Sequence, residues 1–198
     1  FIRNMIKCVN MAGYSVADIV YTALAEIDAV LTDHEKESGV ALIDIGGGTT
    51  DIIVVANNKI WFSASIPVGG NHVTRDISIG LRTEMDEAEN IKLKYGRAIV
   101  DESENPQIFQ ARIADSEDVR TLPINVLVEI IEPRMSEICN LILGRLNDGN
   151  CMSLISSGVV FTGGGSQIRG LEGLASHIFG VPVRIGKSRA IFHIDESM

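Results

Sequence analysis

Apolar residues recur at helical spacing from the start of the chain, with Ile2, Met5, Ile6, Val9 and Ala12 on one stripe and Gly13 placed as a C-terminal cap. Residues 14–20 read as a short strand, and residues 22–31 as a helix whose inner face carries Leu24, Ile27 and Leu31. Residues 34–38 are polar and read as a loop. The period then changes. Residues 39–45 and 51–56 are rich in β-branched side chains, and Asn57-Asn58 is turn chemistry before a third strand over residues 59–66. Helices are predicted over residues 72–81 and from an Asp86 N-cap to Tyr95, with Glu89 completing a capping box. Residues 96–120 have weak periodicity, suited to short strands and turns. Residues 123–147 are predominantly helical, with Leu127, Ile131, Ile138, Leu141 and Leu146 apolar; Pro133 is expected to kink or restart that helix. A strand at 158–162, a helix near 168–179 and a strand at 181–185 complete the pattern.

This order predicts an α/β fold, with residues 82–149 inserted between two parts of one lobe. The chemistry lies where two apolar strands end. Val40-Ala41-Leu42-Ile43 leads into Asp44-Ile45-Gly46-Gly47-Gly48-Thr49-Thr50-Asp51, and Val159-Val160-Phe161 leads into Thr162-Gly163-Gly164-Gly165-Ser166. Consecutive glycines let backbone N–H groups approach a polyphosphate, because no Cβ intervenes. The first loop joins two strands, unlike a Walker A loop, which leads from a strand into a helix. Asp44, at the mouth of that loop, is a candidate holder of hydrated Mg²⁺ near β- and γ-phosphates, or a turn-forming Asp that caps local N–H groups. Thr49 is the candidate phosphate contact; Thr50 is assigned to structure and Asp51 to bracing the loop.

Both glycine segments resemble motifs of the actin-like ATPases, 44–51 the second phosphate motif and 162–170 the adenosine motif. Within that superfamily the chain resembles the FtsA family of bacterial cell division, through Asn4–Gly13, Val30–Asp51, Ile66–Asp76, Ala88–Gly96, Ile130–Arg134 and Val183–Gly186. MreB shares the glycine motifs and an Ala-Glu-x-Ile-Lys run, but not the Ile-Pro-Val-Gly-Gly-Asn or Ile-Glu-Pro-Arg segments. The resemblance implies an actin-like, ribonuclease H-like lobe with a mixed sheet flanked by helices and an inserted α+β subdomain. It divides the chain at 1–35 (end of the first lobe and interlobe helix), 36–81 and 150–198 (second-lobe core) and 82–149 (inserted subdomain).

The resemblance further implies an ATP/ADP and Mg²⁺ site formed by Gly46, Gly47, Gly48, Thr49, Gly70, Asn71, Glu89, Lys92, Gly163, Gly164, Gly165, Ser166 and Ile168, with Asp44 on the metal. Glu89 and Lys92 would line the nucleoside pocket, although Glu89 also suits a capping box and Lys92 a solvated surface. It implies filaments, other divisome partners, and receipt of the FtsZ C-terminal tail by residues 82–149, where Arg134 and Arg145 could meet carboxylates. The implied location is the cytoplasmic face of the membrane at the septum, through an anchor absent from this chain. The first phosphate motif is likewise expected outside it, leaving half an ATP cleft. Chaperones of the fold carry a Glu at the position of Thr22, which cannot act as a base, and Glu26 reads as a surface residue. Slow hydrolysis at most is expected. The alternatives are an MreB-like cytoskeletal protein or, as an enzyme, a sugar kinase or chaperone-type ATPase of the same fold.

Composition narrows the partners. The 198 residues carry a net charge of −9, which argues against nucleic acid. No apolar run approaches the ~20 residues of a membrane span. Cys8, Cys139 and Cys151 are odd in number and suit reduced thiols, and the four histidines have no metal-ligand spacing.

Overall fold

The computed structural model describes residues 1–100, 107–114, 116 and 118–188. Three antiparallel strands, β1 (Val40–Ile45), β2 (Thr50–Ala56) and β3 (Lys59–Ile66), are extended by two parallel ones, β6 (Val159–Thr162) and β7 (Val183–Ile185). The order across this mixed sheet is β3-β2-β1-β6-β7. The β2–β3 hairpin turns through Asn57 and Asn58, both with positive φ, the left-handed backbone that Asn tolerates best among residues with a Cβ. A second, two-stranded sheet pairs β4 (Ile108–Arg112) with β5 (Val119–Pro123).

Alternation along the central strands sorts their side chains onto two faces. Val40 and Leu42 of β1, with Ile53 and Val55 of β2, pack beneath helix α2 (Thr22–Val30). Ala41, Ile43 and Ile45, with Ile52 and Val54, form the larger core with α4 (Gly70–Leu81), α5 (Met85–Tyr95), α6 (Ile124–Asp148) and α7 (Leu171–Phe179). Met135, Ile138, Ile142 and Leu146 of α6 lie in the same core as β1 and β6, so the apolar interior is continuous between the sheet and this helix.

Several elements differ from the sequence expectation. Residues 14–20 form no strand, since a strand needs a hydrogen-bonded neighbour and this segment has none among the described residues. The inner face of α2 is Ala23, Ile27 and Val30, continued by Leu31, which is buried at the cap as expected, whereas Leu24 points outward. Residues 34–38 belong to a helix, α3 (Asp33–Ser38). It has no apolar stripe and is held by its cap: Glu35 N–H donates to Thr32 Oγ1 at 3.2 Å, and Thr32 N–H donates to Glu35 Oε2 at 2.8 Å. The capping box expected at Asp86 does not form; α5 starts after Glu84, and Glu89 is engaged elsewhere. Helix α6 runs through Pro133 without restarting, because Leu127, Ile131, Met135 and Ile138 are buried on both sides of the proline. That packing exceeds the roughly 3 kcal/mol a mid-helix proline costs. The last helix starts at Leu171, preceded by a 3-10 turn over Gly164–Gln167. Helix α1 (Ile2–Met11) forms as expected but buries no residue.

Candidate functional site

Strands β1 and β6 are parallel neighbours with Asp44 opposite Thr162. Both therefore end at the same edge of the sheet, and the loops that follow leave it side by side. The first loop is a tight turn closed by Gly46 N–H donating to the Thr49 carbonyl at 2.9 Å. The second is braced by the buried Ser166, whose hydroxyl donates to the Gly163 carbonyl at 2.7 Å. A third segment, Gly69-Gly70-Asn71, docks on the first through Gly70 N–H to the Gly46 carbonyl and Asn71 N–H to the Gly47 carbonyl, each 2.8 Å.

These approaches leave no room for side chains at two glycines. A Cβ on Gly69 would sit 2.5 Å from the Gly46 carbonyl oxygen. At Gly163, which has φ +82°, it would sit 2.0 Å from Asp44 Oδ1. The structure thus brings Asp44 and all three loops together. Gly47, Gly48 and Thr49 are exposed at the rim, whereas Thr50 is buried and its hydroxyl donates to the Val68 carbonyl at 2.7 Å. Ile168 is buried behind the second loop. Glu89 and Lys92, on α5, meet at 2.7 Å, and Lys92 Nζ also reaches the Gly70 carbonyl at 3.2 Å. Gly70 lies against Gly165, so this pair flanks the same cleft.

The strand pleat also explains an unexpected carboxylate cluster. Asp44 shares the α2 face of the sheet with Val40 and Leu42, and it pairs directly across from Asp51 on β2. Glu26, three residues after Ala23 and four before Val30, is on the inward side of α2 and faces the same spot. Burial, then the neighbouring Asp44 charge and hydrogen bond, push the Glu26 carboxyl up to about 7. Burial likewise raises Asp44, with Asp51 adding to the effect. One Glu26 oxygen is buried with no donor, so the Glu26–Asp44 contact is satisfied only when one of the two keeps a proton. The donor chemistry fits a divalent cation, which would replace that proton. A Mg²⁺ held by one or two carboxylates, phosphate and water needs no larger protein cage, and no group of three or more metal-ligating side chains occurs among the described residues.

Sequence reasoning missed Glu26, although its spacing from Ala23 and Val30 was the available signal. It also missed the long-range tie that holds Asp51: Tyr21 Oη donates to Asp51 Oδ1 at 3.0 Å. Thr74, buried on α4 beside Glu89 and Lys92, gave no signal beyond its place after the Gly-Gly-Asn turn. A cavity of about 550 Å³ lies elsewhere, between α5 and β4, lined by Glu87, Asn90, Lys94, Tyr95, Ile108 and Phe109 among others. It lacks the glycine loops and Asp44, so the chemistry of the sheet edge outweighs its size.

A mixed sheet with glycine loops at the shared end of its central strands defines one lobe of an actin-like ATPase fold. Solved structures agree. The chain superposes on an MreB of Spiroplasma citri bound to ADP with a TM-score of 0.79 at 25% identity, covering 93% of this chain and 60% of that one. It also matches the PilM–PilN type IV pilus biogenesis complex in fold, with a TM-score of 0.69 at 17% identity over 93% of this chain and 46% of that one. Among curated sequences, the cell division protein FtsA of Pseudomonas aeruginosa is 40% identical over 184 residues, which is 93% of this chain and 44% of the relative. FtsA of Bacillus subtilis is 37% identical over 96% of this chain and 43% of its own length. The family description "Cell division protein FtsA" matches residues 41–197. The chain belongs to the FtsA family. It spans less than half the length of the relatives named here.

Proposed function

We propose that this chain contributes the second-lobe part of an adenine-nucleotide site in an actin-like cell-division protein that takes ATP or ADP with Mg²⁺. The observation that carries the reading is the parallel β1–β6 pairing, which delivers two glycine loops side by side with Asp44 between them. The N–H groups of Gly47 and Gly48 and the Thr49 hydroxyl meet the phosphates, while Gly46 closes the turn that presents them. Backbone groups of Gly163, Gly164, Gly165 and Ser166 border the nucleoside, with Ile168 behind them. Gly70 and Asn71 close the side of the cleft, and Glu89 and Lys92 flank the ribose. Asp44 would hold the cation through its hydration shell, and Mg²⁺ would supply charge neutralisation at the phosphates. Structures of the Spiroplasma citri MreB described as bound to ADP and to AMPPNP support the choice of ligand.

At the level of the whole protein, the reading is a nucleotide-gated filament protein that joins the FtsZ ring and other divisome partners to the inner membrane face at the septum. Residues 82–149 are proposed to receive the FtsZ tail. Arg134 is already paired with Asp76 at 2.6 Å, whereas Arg145 is about half exposed and held, among the described residues, only by Asp148 at 3.9 Å, a contact that a peptide carboxylate can replace. Hydrolysis is slow, since Thr22 supplies no base.

The test uses nuclear magnetic resonance titration of this chain with ATP, with and without Mg²⁺. Asp44→Ala is expected to weaken the Mg²⁺-dependent binding about tenfold, and Asp51→Asn about twofold or less. Equal effects of the two substitutions would refute the division between a metal ligand and a structural carboxylate.

A further inference from the structure

Thr74 lies one turn into α4 and is only 3% exposed. Its Oγ1 donates to Glu89 Oε2 at 2.5 Å and accepts from Lys92 Nζ at 2.8 Å, with the Gly70 carbonyl, 3.1 Å away, as an alternative acceptor. A hydroxyl has one proton to give, and a carboxylate is the stronger acceptor. Lys92 Nζ in turn reaches the Gly70 carbonyl at 3.2 Å, Thr74 Oγ1 at 2.8 Å and Glu89 Oε2 at 2.7 Å. An ammonium carries three protons, so these contacts use all of them.

The two charged residues therefore have unequal roles. The Lys92 side chain is 10% exposed and fully engaged with the protein; that of Glu89 is 39% exposed. Both the Thr74 and the Lys92 contacts fall on Glu89 Oε2, which leaves Oε1 to take a hydrogen bond from outside. Burial works against the charge, but the bonds from Lys92 and Thr74 prevail and hold the Glu89 carboxyl below its ordinary range. At neutral pH it is an acceptor only. The same network ties Glu89 to the Gly69-Gly70-Asn71 loop through Lys92 and the Gly70 carbonyl.

We propose that Thr74 and Lys92 are positioning residues of the nucleoside subsite: they fix Glu89 so that its Oε1 accepts from a ribose hydroxyl, and neither touches the ligand itself. This rests on the nucleotide reading above. It departs from the sequence expectation, in which Lys92 lines the nucleoside pocket alongside Glu89.

The distinction is measurable by titrating the chain, in the presence of Mg²⁺, with ATP and with inorganic tripolyphosphate, which lacks the nucleoside. Thr74→Val removes the hydroxyl at nearly constant shape and is expected to cut the preference for ATP over tripolyphosphate about five- to tenfold, with tripolyphosphate affinity unchanged. Thr74→Ser restores the hydroxyl and the preference. Lys92→Met is expected to narrow the preference in the same way, again without weakening tripolyphosphate. Native-like spectra away from α4 and α5 establish that the variants are folded, and Lys92→Met decides the matter if Thr74→Val does not fold. An unchanged ATP preference in a folded Thr74→Val chain would overturn the proposal. So would a loss of tripolyphosphate affinity in Lys92→Met, which would make Lys92 a phosphate ligand. A native chain that binds neither ligand, or shows no preference between them, would instead overturn the nucleotide reading, and this inference with it.

Discussion

Gly163 and Gly180 both hold left-handed backbone, with φ of +82° and +66°, but their surroundings differ. Nothing lies within 4 Å of a Cβ placed on Gly180, whereas one on Gly163 would overlap Asp44 Oδ1. Gly180→Ala should therefore cost about 1 kcal/mol for the backbone alone. Gly163→Ala should cost about 3 kcal/mol, because overpacking adds to that strain. Urea denaturation of the two variants separates these values; equal losses would contradict the close approach of Asp44. Glu35 makes a different prediction. Arg184 hydrogen bonds at 2.7 and 2.8 Å oppose burial and, with the Thr32 bonds, lower its carboxyl from 4.5 to about 2. A depressed carboxylate stabilises the fold above its unfolded value, near pH 4.5, and loses that contribution as the pH falls through about 2. Relative to Glu35→Gln, the native chain should be more stable by about 1–2 kcal/mol at neutral pH, a figure reduced because Arg184 is partly in water. The gap should close on acidification between those two values. A difference that stayed constant over that interval would assign Glu35 a role independent of its charge.

Among the elements, α4 and α6 are joined by a two-pronged ion pair across 58 positions of sequence. Arg134 Nε donates to Asp76 Oδ2 at 2.6 Å and Nη2 to Oδ1 at 3.1 Å, and Glu137 also contacts the guanidinium. Lysine offers no planar fork, so Arg134→Lys is expected to cost about 1 kcal/mol, and its effect should largely vanish in an Asp76→Asn background. Additive losses in that double-mutant cycle would deny the coupling. The same scale shows why some elements were legible in the chain and others were not. β1 and β2 carry unbroken apolar runs rich in β-branched residues, β3 alternates and α4 carries an apolar stripe, and their bounds fall within two residues of expectation. Helix α3 lacks any stripe, and only its Thr-x-x-Glu cap announces it. The expected break at Pro133 and the expected strand at 14–20 failed for tertiary reasons. Burial on both flanks carried α6 through the proline, while nothing paired with the extended segment.

At the scale of the molecule, the two glycine loops were readable as motifs, but their adjacency depends on β1 and β6 pairing in parallel across more than a hundred residues. No local pattern encodes that pairing. The sheet also places Asp44 and Asp51 on the face covered by α2, which turns Glu26 from an apparent surface residue into a partner of Asp44. Likewise, the role of Thr74 exists only once α4 and α5 pack together. The chain covers under half of its FtsA relatives, so a two-lobed site worth about 8 kcal/mol at micromolar affinity should retain roughly half of that here, giving millimolar binding. The most direct test is the map of backbone amide shifts as Mg²⁺·ATP is added to this chain. The account predicts saturable changes at millimolar nucleotide, concentrated at Gly46, Gly47, Gly48 and Thr49 and at Gly163, Gly164 and Gly165. Changes centred on the cavity between α5 and β4, with both glycine loops silent, would contradict it.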